Sequence, residues 1–170
     1  RRVAKRRGVT LAINVLRSES LGSVHIKSSD PKAPPAIRFN FLQAAEDRRG
    51  LLAALRKARE LMAAPPVADV VTMEISPGAQ AQSDEALLDW VRAKAETTYH
   101  PVGTCRMGPD PMAVVDSELR VHGIHGLRIA DASIMPTLTS GNTNAPCMMI
   151  GEKCAEMTLA AAAKAARAAA

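Results

Sequence analysis

Over residues 44–63 the apolar side chains return every three to four positions. Leu51, Leu55, Ala58 and Met62 share one side of a 3.6-residue repeat, and Glu46, Arg49, Arg56, Lys57 and Glu60 occupy the other. That spacing predicts an amphipathic helix lying on a sheet, with its charged side in solvent. Gly50 costs it about 1 kcal/mol, and Pro65-Pro66 ends it. A second helix opens at Ser83-Asp84-Glu85. Ser83 is a suitable N-cap, and the two acids stand where the helix dipole favours negative charge. Leu87, Leu88 and Val91 form its apolar side, and it runs to residues 96–98. A third helix begins at Asn144 or Pro146, after a turn containing Gly141. Proline in the first turn costs little, because that N–H has no helical partner.

Strand patterns have a different period. Residues 10–16 (TLAINVL) alternate apolar and less apolar positions and predict a strand. Residues 21–27 predict another, with Val24 and Ile26 on one face and His25 and Lys27 on the other. The short loop between them fits an antiparallel hairpin. Pro31, Pro34 and Pro35 stiffen the connection that follows, and residues 37–39 form a short strand. Residues 69–75 (DVVTMEI) are ambiguous: their β-branched residues permit a strand, closed by the turn at Ser76-Pro77-Gly78. Residues 114–116 and 119–124 suit two short strands or turns. Residues 127–130 (LRIA) form a better strand, with Asp131 at its carboxyl end. In an open α/β sheet, ligands collect at such ends.

The chain has 170 residues, enough for one domain with a core. Only 2% of them are aromatic against 47% hydrophobic, so that core is aliphatic. The net charge is +5, concentrated at Arg1, Arg2, Lys5, Arg6 and Arg7, with Lys164 and Arg167 at the other end. A basic tail without interleaved aromatics or a reading helix is a solvated arm rather than a nucleic-acid site. Cys105, Cys147 and Cys154 are odd in number and lack C-x-x-C spacing. This argues against a disulfide framework and against a metal site of the zinc type. Packing thiols in a reducing compartment, with a cytoplasmic location, is the expectation. No run reaches the roughly 20 apolar residues of a membrane span, and the basic start lacks the apolar stretch of a signal peptide. Residues 159–170 read as an alanine-rich helical extension that frays.

Two stretches carry the chemistry. Tyr99-His100-Pro101-Val102-Gly103-Thr104-Cys105-Arg106-Met107-Gly108 puts a histidine directly before a proline, which biases it to extended backbone at the mouth of a glycine-punctuated loop. Histidine, with an unperturbed pKa of about 6.5, is the natural general acid or base there. The second stretch is VVDSELRVHGIHGLRIADASIMPTLTSGNTNAPCMMIGEKCAEM, residues 114–157. Asn142 stands in its turn, before a helix N-terminus that offers free N–H groups to an electron-rich edge.

Together these stretches resemble the C-terminal part of the glucose–methanol–choline family of flavin oxidoreductases, with the likeness strongest to its choline and alcohol dehydrogenase branch. The resemblance extends more loosely through GSVHIKSSDPKAPPAIRFNFL and covers residues 11–159. It implies an α+β fold. Residues 9–126 would supply an antiparallel substrate-domain sheet packed with helices. Residues 127–160 would add a strand and helix completing an FAD-binding α/β domain. A basic tail at 1–8 and an alanine-rich tail at 161–170 flank them.

The resemblance also implies FAD as cofactor, a small primary alcohol as substrate, and oxidation of its CH–OH group by hydride transfer. His100 matches the family histidine that lies against the flavin and accepts or positions the hydroxyl proton. Asn142 matches the second catalytic position and also falls in the flavin-contact stretch. Asp131 and Ala132 resemble its C-terminal flavin-contact segment, and Thr143 resembles a backbone contact to the ring. His25, His122 and His125 have no motif behind them. Choline is one candidate substrate, but quaternary ammonium recognition uses aromatic faces, and the chain has only Phe39, Phe41, Trp90 and Tyr99.

The family's glycine-rich dinucleotide fingerprint, G-x-G-x-x-G after a strand, does not occur. The chain therefore reads as a C-terminal portion whose partner is an N-terminal FAD-binding half. The competing reading is a non-catalytic module, a truncated relic that binds a partner or simply folds.

Overall fold

The computed structural model describes residues 7–169. The basic positions Arg1, Arg2, Lys5 and Arg6 lie outside them. Its regular elements are strands β1 (Ser23–His25) and β2 (Ala36–Arg38) and helices α1 (Ala45–Ala63), α2 (Asp84–Lys94) and α3 (Asn144–Ala169). The architecture is α+β. Contacts divide the chain into two compact units. One holds the segment ending at Leu21 together with Asn40–Thr98; the other holds Gly22–Phe39 together with the chain from Tyr99 onward.

In the first unit α1 packs against α2. Leu52 and Leu55 of α1 and Leu87 and Val91 of α2 form the core with Ala81. Leu87 is 1% exposed, and burying a leucine this fully is worth about 1.5–3 kcal/mol. Ser83 caps α2 as its sequence predicts, accepting from the Ala86 N–H at 3.2 Å. The helix stops at Lys94, two residues before the expected end. Ala64, forced into extended backbone ahead of Pro65, ends α1.

One acid of α1 is not on its wet side. Asp47 is 2% exposed and stands one and two turns before Leu51 and Leu55. Its Oδ1 accepts the Glu19 N–H at 2.8 Å. Its Oδ2 accepts the Ser18 hydroxyl at 2.7 Å and the Ser20 N–H at 2.9 Å. Burial pushes the carboxyl up, but the hydrogen bonds from Ser20, Glu19 and Ser18 outweigh it and hold the pKa at about 2.

Three sequence expectations fail in this unit, and one ambiguous stretch is decided. Residues 10–16 form no strand. Ile13 packs on the core and Val15 faces Gly50, so the alternation places side chains as expected, but no neighbouring strand supplies a hydrogen-bond ladder. The expected hairpin of residues 10–16 with 21–27 is therefore absent; β1 pairs with β2 instead. No strand belongs to this unit among the described residues, and the apolar side of α1 meets α2. Residues 69–75 also form no strand: a 3₁₀ turn, Val67–Asp69, precedes them, and Glu74 pairs with Arg59 at 3.1 Å.

In the second unit β1 and β2 are antiparallel, with Val24 opposite Ile37. A Cβ on Gly22 would lie 2.2 Å from the Arg38 carbonyl oxygen, so only glycine admits this approach. The core is Val115, Leu119, Ile134, Met135 and Ile150. Cys147, Ile150, Cys154 and Met157 give α3 one apolar stripe at spacings of three and four. Residues 158–169 continue the helix with every position exposed.

The strand expected at residues 127–130 is reduced to one bridge, Arg120 with Arg128. Two backbone bonds flank it: Val121 N–H to Leu127 O at 3.0 Å and Ile129 N–H to Leu119 O at 3.1 Å. Gly123 and Gly126, at φ +75° and +76°, turn the chain too often for a longer extended run.

Candidate active site

The His100 loop begins with a strained residue. Tyr99 has φ 61°, a left-handed conformation costing a side-chain-bearing residue about 1–2 kcal/mol. His100 follows, half-buried, and Pro101 keeps it from helix. Beyond it the N–H groups of Gly103, Cys105 and Met107 donate to the carbonyls of Ala132, Ser133 and Ile134 at 3.4, 2.9 and 2.8 Å. Alternate N–H groups of an extended chain point the same way, so the loop presents one edge to the Ala132–Ile134 3₁₀ turn. The two motif stretches are thus one piece of structure. Gly103 has φ +85°, and a Cβ there would sit 3.2 Å from the Met135 carbonyl oxygen.

Arg106 closes the end of the loop with a two-pronged bond to Asp110, at 2.7 and 2.6 Å. The Arg106 guanidinium holds the Asp110 carboxyl well below its usual range, at about 2. Asp131 is exposed and caps the 3₁₀ turn, its Oδ1 accepting the Ser133 N–H at 2.7 Å. Ala132, half-buried, follows it.

The second stretch returns to His100 through Thr143. Its Oγ1 lies 2.9 Å from His100 Nδ1, and the residue is only 7% exposed. Its carbonyl accepts the Cys147 N–H at 2.9 Å and starts α3. Asn142, one residue earlier, is exposed, and its side chain makes no hydrogen bond to any described residue. The structure therefore joins His100 directly to Thr143, with Asn142 next to that joint and Asp131 and Ala132 on the segment bound to the loop.

Beside them is a cavity of about 420 Å³. Pro101 and Thr104 of the loop, Asp131, Ala132 and Ser133 of the 3₁₀ turn, Cys147 of α3, and Val24, Ile37 and Phe39 of the hairpin line it. Its wall is mostly apolar, with few polar groups, the composition of small-molecule sites in general. Sequence reasoning missed the hairpin's part. The only signal in the sequence was the alternation of Ile37 and Phe39 onto one face; that they and Val24 stay 45–54% exposed is visible only in the fold. It also missed the hydroxyl of Thr143.

Known proteins bear on this arrangement. The family model described as GMC oxidoreductase matches residues 18–151. An oxygen-dependent choline dehydrogenase of Escherichia coli is 50% identical over 153 residues, covering 90% of this chain and 28% of that protein. The chain thus spans under a third of the length of the curated relatives it matches. Among solved structures, pyridoxine 4-oxidase from Mesorbium loti superposes with a TM-score of 0.79 and 35% identity, over 83% of this chain and 28% of that one. A fungal aryl-alcohol oxidase superposes at 0.75 and 35%, over 84% and 24%. The match takes in the His100 loop, the Asp131 turn and the start of α3, the three pieces that the hydrogen bonds draw together, and on it the chain belongs to the GMC oxidoreductase family.

Proposed function

We propose that this chain is the substrate-facing part of an FAD-dependent oxidoreductase that oxidises a primary alcohol, with His100 as the base and Asn142 as the group that steadies the alcohol oxygen. The observation that carries the reading is the joint between the two motifs. The His100 ring is bonded to the buried hydroxyl of Thr143, the residue next to Asn142, whose exposed amide bonds to no described residue, and a mostly apolar cavity lies beside them.

The residues present fit a flavin. The cavity wall is mostly apolar, and Asp131 is among its lining residues. Asn144 and Ala145 open a 26-residue helix with N–H groups that have no helical partner. Asp131, Ala132, Asn142 and Thr143 are the residues that would hold the ring. The flavin, when bound, supplies the acceptor for the two electrons of the oxidation.

This chain's own residues do the rest. Thr143 engages Nδ1 of His100, which leaves Nε2 as the ring nitrogen that takes the hydroxyl proton. The Asn142 amide N–H₂ donates to the oxygen as negative charge builds on it. Phe39 is the aromatic face on the cavity wall, and it is the residue through which a cationic alcohol such as choline would be favoured.

The test is made in a whole protein, with this chain joined to an N-terminal flavin-binding half. Alcohol-dependent bleaching of the flavin is followed by absorbance. His100→Asn is expected to lower kcat by about 10²–10⁴-fold, and Asn142→Ala by about 10²–10³-fold. Full turnover in either variant removes that residue from the chemistry. A flavin-loaded protein that no alcohol bleaches rejects the reading as a whole.

A further inference from the structure

Thr143 heads α3, where an N-cap residue stands. An N-cap hydroxyl ordinarily accepts the N–H of the second or third helical residue. Ser83 does this for α2, and Asp131 does it for the 3₁₀ turn. Thr143 does not. The third helical residue of α3 is Pro146, which has no N–H to give. Among the described residues, the one partner of Thr143 Oγ1 is Nδ1 of His100, at 2.9 Å.

The hydroxyl is also held in place. Its residue is 7% exposed, and its carbonyl is tied to Cys147 N–H at the root of the helix. Ile150 in the next turn is buried in the core. A threonine fixed in this way, and spared from capping, has both oxygen lone pairs to offer a donor.

Resting on the assignment of His100 as the base, we propose that Thr143 is a positioning residue: its hydroxyl accepts the Nδ1–H of His100, fixing the tautomer that leaves the Nε2 lone pair free for the substrate proton. A neutral imidazole carries one proton on one nitrogen. With that proton on Nε2 the ring cannot accept another there, so a base at Nε2 needs an acceptor at Nδ1. The same bond sets the ring plane and, because Asn142 is the preceding residue, keeps the amide in register with the imidazole.

The test is the tautomer itself, read from ¹⁵N chemical shifts of the histidine rings in the full 170-residue chain. The measurement is made at about pH 9, where an ordinary imidazole is neutral. Loss of signals in His100→Gln assigns them. Wild type and Thr143→Ser are expected to show His100 as the Nδ1–H form, and Thr143→Val to move it towards Nε2–H. Wild type in the Nε2–H form overturns the inference, whether or not the valine variant folds. An unchanged tautomer in a folded Thr143→Val overturns it as well.

In the joined, flavin-loaded protein, Thr143→Val should lower kcat/KM by about 10–100-fold, mostly in kcat, and Thr143→Ser should restore it to within about threefold. The two readings fail separately. If His100→Asn turns over normally, the base assignment is wrong whatever the tautomer. If His100→Asn is inactive while Thr143→Val keeps the wild-type tautomer and rate, only the role of Thr143 falls.

Discussion

Replacing Asp47 with asparagine removes the charge from a carboxylate that is 2% exposed and accepts from Ser18, Glu19 and Ser20. The folded pKa of about 2 lies below the ordinary 3.8. At 1.36 kcal/mol per unit, that depression contributes about 2–3 kcal/mol of stability at neutral pH. The sign follows from the direction. A carboxyl whose pKa is depressed on folding stabilises fully above its unfolded pKa and loses that contribution as pH falls through the folded one. The window here runs from just above 3.8 down to about 2. Asparagine brings a second loss, because its N–H₂ must face one set of donors, leaving a buried N–H or hydroxyl unpaired at about 1–3 kcal/mol. Asp47→Asn should therefore destabilise the first unit by about 3–6 kcal/mol at pH 7. Trp90 reports on that same unit through its bond to Ser76 at 2.9 Å, and it is the only tryptophan. Urea unfolding followed by its fluorescence gives the difference directly. The gap between wild type and variant must narrow as pH drops from 4 towards 2, whatever other carboxyls do in both proteins. A gap under about 0.5 kcal/mol at pH 7, or one that does not change with pH, refutes the reasoning.

Two further changes probe the frame of the site and the other helix start. Gly103→Ala forces a side chain into left-handed backbone at φ +85°, with its Cβ 3.2 Å from the Met135 carbonyl oxygen. It should cost about 1–2 kcal/mol and weaken hydrogen-exchange protection at Cys105 and Met107; unchanged protection would show that the loop tolerates the strain. Ser83→Ala removes a working N-cap from α2 and should cost about 1 kcal/mol by the same Trp90 assay, and a change below a few tenths would mean the cap contributes nothing.

The helices were legible because period 3.6, caps and prolines all agree at the same residues. Ser83, Pro65 and the start at Asn144 fall where the sequence puts them. The strands were less so, because alternation reports which way side chains face and not whether a neighbouring strand exists. Ile13 and Val15 turn inward as their spacing requires, yet nothing pairs with them. Asp47 was invisible among Glu46, Arg48 and Arg49, since only the return of residues 18–20 makes it a buried acceptor. At the site, the motifs pointed to His100 and Asn142 as candidates, but the bond between His100 and the Thr143 hydroxyl is a long-range fact spanning 43 positions. The absent cap bond at Pro146 could have been read in advance; the partner that takes its place could not.

The way the chain alternates between its two units limits how it can be dissected. It supplies the first unit up to Leu21, the second from Gly22 to Phe39, the first again from Asn40 to Thr98, and the second from Tyr99 onward. No single scission frees either unit intact. Trimming the leading residues to reach the hairpin would also strip Ser18, Glu19 and Ser20 from Asp47, orphaning a buried charge in the unit left behind. A truncation that keeps both units therefore stops ahead of residue 18, and an internal nick near residues 39 or 98 should leave fragments that hold together by packing rather than fold alone.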